Sequence, residues 1–184
     1  MLSLHLPSTL ILLIDVQERF LPAIPLISPD QEVGRACRVL LEGTTLLGVP
    51  VLISEQYTKG LGPTLPHLLA AAPGATRMEK THFSCVDDPD IALYIDRQGR
   101  RTIVVAGIEA HVCVLATVID LRSKGFDVVV AADAVASRSA SAREHALTTM
   151  RQHGAVVVPV ESILFRLQRQ AGVGCFKQIA ALVK

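Results

Sequence analysis

Six short apolar runs, each closed by a turn and followed by a segment of helical character, constrain the fold of this chain more than any single residue does. The runs are residues 9–15 (TLILLID), 49–54 (VPVLIS), 75–79 (ATRME), 102–107 (TIVVAG), 127–132 (DVVVAA) and 155–160 (AVVVPV). Most lack the apolar/polar alternation of a half-exposed strand, so they read as strands buried on both faces, which is how parallel sheets are written. Helical patterns fill the gaps. The first spans residues 30–47, opened by Pro29-Asp30 and stopped by Gly48, with Val33, Ala36, Cys37, Leu40, Leu41 and Leu47 at helical spacing. Others are expected at 65–72, 88–96, 113–124 and 139–153, and through most of the tail from residue 161. The alternation predicts an α/β fold: a three-layer, doubly wound, Rossmann-like domain over residues 1–184, with a six-stranded parallel sheet in the order 3-2-1-4-5-6.

Composition removes several function classes. Half of the 184 residues are hydrophobic and 19% are charged, so disorder is not expected. No apolar stretch approaches the roughly 20 residues of a membrane span, and no secretory leader is visible, which predicts a cytoplasmic protein with no membrane partner. The formal net charge is +1 with mixed signs along the chain, which argues against nucleic acid as a partner. The densest basic cluster, Arg97–Arg101 (RQGRR), reads as a solvated turn before a strand. The four cysteines, Cys37, Cys85, Cys113 and Cys175, form no CxxC pair, so reduced thiols are expected rather than a zinc knuckle.

In such a sheet ligands bind beyond the carboxyl ends of the strands, where strand order reverses. With the order above, the ends of the first and fourth strands are neighbours there. Asp15 closes the first, and Cys113 follows the fourth at the start of the helix over 113–124. Lys80 lies at the end of the third. A cysteine in a first helical turn meets the positive end of the backbone dipole, which favours thiolate. Taken singly, each residue also has a structural reading: Cys113 as a small core hydrophobe, Asp15 as a turn cap, Lys80 as a solvated side chain. Other site motifs are missing. The first strand-to-helix turn has no glycine to admit a pyrophosphate, and neither GxxxxGK[ST] nor GxSxG occurs.

The segments LLIDVQERF, ISEQYTKGLGPT, EKTHFSC and VVAGIEAHVCVLATVIDLRSKGFDVVVAADAVASR resemble, in order and spacing, the isochorismatase-like cysteine hydrolases, which include nicotinamidases, isochorismatases and N-carbamoylsarcosine amidases. The resemblance runs from about Thr9 to Ile163. It implies a catalytic triad of Asp15, Lys80 and Cys113. It also implies a cis peptide at Ile108–Glu109 and an oxyanion hole from the backbone N–H groups of Glu109 and Cys113. Nicotinamidase-type members carry an Asp-x-His pair and further histidine after the second strand, which bind a divalent metal. Here that stretch is SEQYTKGLGPTLPH, with His67 its only imidazole, so no metal and no other cofactor are expected. Gln17, Phe20, Gln56 and Tyr57 are the expected pocket residues, with His111 facing the pocket, facing a partner subunit, or capping a helix. The implied activity is metal-independent hydrolysis of a small amide or carbamoyl compound through a cysteine thioester, by a homo-oligomer. Two alternatives remain open: a metabolite-binding or redox-responsive protein on the same scaffold, and an isochorismate-type vinyl ether hydrolase.

Overall fold

The computed structural model describes residues 4–184; the first three residues of the expected domain lie outside the described residues. Six strands form one sheet: β1 (Thr9–Ile14), β2 (Val51–Gln56), β3 (Thr76–Lys80), β4 (Thr102–Gly107), β5 (Asp127–Val135) and β6 (Val156–Val158). Every neighbouring pair is parallel, in the order β3-β2-β1-β4-β5-β6. That is the order expected from the sequence. The two central strands, β1 and β4, are buried along their whole length, as their unbroken apolar runs require.

Among the described residues eight α-helices flank the sheet: α1 (Glu32–Leu46), α2 (Thr58–Leu61), α3 (Pro66–Ala71), α4 (Pro89–Arg97), α5 (Leu115–Ser123), α6 (Ala140–Gln152), α7 (Val160–Gln168) and α8 (Phe176–Leu182). Side chains alternate across a strand. Ile11 and Leu13 therefore pack with Cys37, Leu40 and Leu41 of α1 and Ile163 and Leu164 of α7. Leu10, Leu12 and Ile14 pack on the opposite face with Ile91 and Ile95 of α4, Val118 of α5 and Leu147 of α6. The start of α4 follows its sequence: Asp88 accepts hydrogen bonds from the Asp90 and Ile91 N–H groups, with Pro89 in the first turn, where no N–H is missed.

Several boundaries differ from expectation, each for a physical reason. β2 begins later and runs on to Gln56, because its last residues pair with β3, Gln56 opposite Lys80. A register shift between Val105 and Gly107 lets β5 continue to Val135 and brings the chain that follows, Ser137 and Arg138, to the carboxyl end of the sheet. β6 stops at Val158, before Pro159, which has no N–H to donate to a ladder. The expected loop over 55–64 contains the helical turn α2. Among the described residues no helix is long and apolar enough to cross a membrane.

Candidate active site

Three strand ends build the site. Asp15 directly follows β1 and holds a left-handed backbone, φ 56°, unusual for a residue other than glycine though tolerated by aspartate. Its N–H donates to Ser54 O on β2, and its own carbonyl accepts from Gln17 N–H, so the chain turns sharply with the carboxylate held inside. Gly107 ends β4 against it. A Cβ there would lie 2.1 Å from Ile14 O, at φ +121°, so only glycine lets the two central strands end side by side. The peptide that follows, Ile108–Glu109, is cis, at the place the resemblance implied.

Lys80, the last residue of β3, turns inward and is almost completely buried. Its Nζ donates to Asp15 Oδ2 at 2.7 Å, to Gln56 Oε1 at 2.6 Å, and to the carbonyls of His82 and Phe83 at 3.1 and 3.3 Å. Burial alone would lower the ammonium's pKa, but the Asp15 charge outweighs it and holds the pKa above its ordinary value. Asp15 Oδ1 accepts from the Ser54 hydroxyl at 2.7 Å. Both carboxylate oxygens are thus engaged, and the buried charge pair is hydrogen-bonded on each side, the condition under which such a pair survives without water.

Cys113 meets this pair from β4. The helix carrying it begins earlier than the sequence suggests: residues Ala110–Val114 form a π-helical turn, in which Val114 N–H reaches back to Glu109 O at 3.2 Å. Cys113 is therefore the fourth residue of that turn and not the first of α5. The expectation that a helix start favours its thiolate is corrected accordingly. Burial, then the Asp15 charge, push the thiol up to about 12, with Lys80 pulling against them. The resting sulfur is a thiol, and the Asp15 charge is one of the causes that keep it so.

Cys113 forms part of the wall of a cavity of about 660 Å³, otherwise lined largely by Phe20, Tyr57, Leu61, Phe83, Val112 and the Glu109–Arg138 pair. Phe20, Gln56 and Tyr57 line this cavity, and Gln17 and His111 are not part of its lining. Gln17 is fully buried: its side chain accepts from Gln56 N–H at 2.7 Å and donates to Gln56 O and Gly62 O at 3.0 and 2.6 Å. It clamps the segment after β2 to the sheet, helped by Glu55, whose Oε1 accepts from both Thr64 N–H and its hydroxyl at 2.8 Å. Tyr57 and Leu61 are carried on that clamped segment. His111 places Nδ1 3.0 Å from the Ser137 hydroxyl, away from the cavity lining. Glu109 and Arg138 line the cavity together, Glu109 Oε2 accepting from the Arg138 N–H and Nε at 3.0 Å each.

Leu61, Phe83, Val112 and Arg138 had no local signal to mark them as cavity residues; only the fold assembles them. Among the described residues, no group of three or more His, Cys, Asp or Glu side chains is placed to hold a metal ion. His67 belongs to α3 and is not part of the cavity lining. The donor set therefore does not fit the metal that nicotinamidase-type relatives would carry.

An isochorismatase domain model matches residues 9–162. The chain is 40% identical over 178 residues to isochorismatase domain-containing protein 2A of Mus musculus, covering 96% of this chain and 83% of that one. It is also 40% identical over 171 residues to isochorismatase domain-containing protein 1 of Salmo salar, covering 92% of this chain but only 59% of that longer protein. Among solved structures, MAR1 ribonuclease from Caenorhabditis elegans superposes with a TM-score of 0.88 at 32% identity, over 98% of this chain and 91% of the other. The octameric hydrolase of unknown specificity YcaC from Escherichia coli superposes with a TM-score of 0.87 at 23% identity, over 100% and 88%, a likeness of fold alone.

Proposed function

The chain belongs to the isochorismatase domain family, and on that premise we propose that it is a metal-independent cysteine hydrolase of small amides or carbamoyl compounds. One observation carries the reading. A cysteine sulfur opens on a cavity of about 660 Å³, while the buried Asp15–Lys80 pair, 2.7 Å apart, stands behind it and outside the cavity lining.

In this reading Cys113 is the nucleophile, Asp15 the proton carrier and Lys80 the fixed cation. A thiol with a pKa near 12 is not a standing nucleophile, so its proton must leave as attack begins. Asp15 takes that proton while sulfur bonds to the substrate's carbonyl carbon. The charge developing on the carbonyl oxygen falls to the backbone N–H groups of Glu109 and Cys113; among the described residues no protein acceptor is assigned to the Glu109 N–H. Collapse of the tetrahedral adduct breaks the C–N bond, and Asp15 returns its proton to the departing nitrogen. Water then attacks the thioester, giving one proton back through Asp15 to sulfur, and the acid leaves. Lys80 keeps the carboxylate oriented and offsets the negative charge through both steps. We place this chemistry in a homo-oligomer, as in the octameric neighbour.

The relative named as a ribonuclease favours a second reading, RNA cleavage. The net charge of +1 and the apolar cavity walls weigh against it, since RNA is held through its phosphates and sugar hydroxyls. The deciding experiment offers the protein a panel of small primary amides and carbamoyl compounds, and separately single-stranded RNA, reading ammonia release, covalent adduct mass and RNA fragments. Ammonia release with an adduct on Cys113, abolished in Cys113→Ser, is the expected result. RNA cleavage that persists in Cys113→Ser would overturn the proposal.

A further inference from the structure

Behind Asp15, on the side away from the cavity, a second set of polar groups plays no part in the steps above. Ser54 and Cys85 are both fully buried in a region otherwise packed with aliphatic side chains. The Ser54 hydroxyl donates to Asp15 Oδ1 at 2.7 Å, and the Cys85 thiol donates to Ser54 Oγ at 3.6 Å. Cys85 is itself anchored, its N–H donating to the Thr117 hydroxyl of α5 at 2.9 Å. That helix continues directly from the turn carrying Cys113.

We propose that Ser54 is a positioning residue for the Cys113 reaction, acting through Asp15 Oδ1, and that the Cys85 thiol fixes the direction of its hydroxyl. The inference rests on the hydrolase reading above.

The donor directions follow from chemistry. An ionised carboxylate only accepts, so the hydroxyl proton between Ser54 and Asp15 belongs to Ser54. The bond to Asp15 already directs the hydroxyl proton, and the Cys85 S–H on an oxygen lone pair narrows that orientation further. Burial pushes the Cys85 thiol up to about 11, so it stays protonated and remains a donor at neutral pH. The chain Cys85 S–H to Ser54 O–H to Asp15 therefore has one arrangement of protons. With Lys80 on Oδ2, Ser54 holds the plane of the carboxylate, and each oxygen keeps a lone pair for the proton of Cys113. Without Ser54, Lys80 alone holds the group, which then rotates about one contact. The base is misaimed, while the cavity, which Ser54 does not line, is unchanged.

The test uses p-nitrophenyl acetate with the full-length protein. Cys113 sulfur bonds to the acetyl carbon, its proton passes to Asp15, and p-nitrophenolate leaves with the electron pair, so acylation is read by absorbance and by an acetyl adduct on Cys113. Ser54→Ala is expected to slow acylation by about 10- to 100-fold with KM within about twofold. Ser54→Thr, which keeps the hydroxyl, should recover most of the rate. In an Asp15→Asn background, Ser54→Ala should change the residual rate by less than about twofold, because Ser54 acts only through Asp15. Cys85→Ala should slow acylation severalfold and Cys85→Ser should restore it, which keeps the inference exposed even if Ser54→Ala does not fold. A folded Ser54→Ala protein acylating at the wild-type rate would overturn the inference and leave the hydrolase reading standing; so would an equal loss in the Asp15→Asn background. With Ser54→Ala unfolded, unchanged acylation in Cys85→Ala overturns it as well. Wild-type protein giving no acetyl adduct on Cys113 defeats the hydrolase reading, and this inference with it.

Discussion

Exchanging Asp15 for Asn should make Cys113 more reactive toward a simple alkylating reagent and less able to turn over substrate. With its pKa near 12, the thiol is ionised at about pH 8 in roughly one molecule in ten thousand. The Asp15 charge is the second cause of that value after burial, and Lys80 opposes both. Asparagine keeps the shape and loses the charge. Lys80 retains Gln56 Oε1 and the His82 and Phe83 carbonyls as acceptors, and so stays in place as the cation nearest the sulfur. Two unit charges about 4 Å apart at an effective dielectric near 20 interact by about 4 kcal/mol, the upper bound on what removing the carboxylate charge is worth. Discounted for solvent reaching the cavity, that still raises the thiolate fraction about 10- to 100-fold. The assay is timed labelling with iodoacetamide, quenched and read by peptide mass spectrometry. Cys175, partly exposed, is the reference thiol; Cys37 and Cys85, fully buried, report any loosening of the fold. Wild-type Cys113 should label more slowly than Cys175. In Asp15→Asn it should label at least about tenfold faster with Cys37 still protected, while turnover falls about 10²- to 10⁴-fold. Labelling that is unchanged or slower in a folded Asp15→Asn protein would refute the idea that this carboxylate holds the sulfur protonated.

Replacing Lys80 by Met leaves a buried carboxylate without its cation and should cost about 3–5 kcal/mol in urea unfolding, whereas Asp15→Leu combined with Lys80→Met should cost clearly less than the sum of the two. Gln17→Ala removes three hydrogen bonds, two to Gln56 at the end of β2 and one to Gly62 beyond it, and should cost about 1–3 kcal/mol, with faster proteolytic nicking between residues 57 and 63 as the local readout. Stability should fall in alkali. Cys37 and Cys85 are held at about 12 and 11 against 9.0 when unfolded, so above about pH 9 the unfolded chain releases protons that the native state keeps. At about 1.4 kcal/mol for each pH unit between those values, Cys37 alone accounts for a loss of order 4 kcal/mol by about pH 12. Below pH 9 neither thiol contributes a slope. Urea midpoints at about pH 7.5 and 10.5 would check this, and Cys37→Ala should flatten the dependence.

Buried parallel strands announce themselves, because an apolar run with no alternation has few other uses, and for that reason the sheet was legible in the residues; the strand order came from the common doubly wound pattern, which the structure follows. Asp15 and Lys80 stand out in the sequence because polar residues at the ends of such runs are conspicuous, and the structure pairs them; Cys113 stands out only by following the fourth run into a helical segment. What stayed hidden depends on long-range contact. Gln17 looked like a pocket residue since nothing local reveals that its amide is consumed by main-chain groups of Gln56 and Gly62. The direction in which the Cys113 pKa moves is set by burial and by a carboxylate from another strand, and both overrule the helix-start argument that the sequence invites. Ser54 gave no signal because its importance lies in the register that sets it beside Ile14 and Asp15.

The cavity wall and the proton-handling groups share little beyond Cys113 and Gln56. Phe20, Tyr57, Leu61, Phe83, Val112 and Arg138 line the cavity, whereas Asp15, Lys80 and Ser54 lie beneath the surface on strand ends. Tyr57 and Phe83 are more than half exposed, so changing them perturbs little of the core. A lineage could therefore exchange the outer side chains freely and acquire new substrates without disturbing the chemistry underneath. The same division makes the protein a practical starting point for directed evolution, with libraries confined to the rim and the strand ends left untouched.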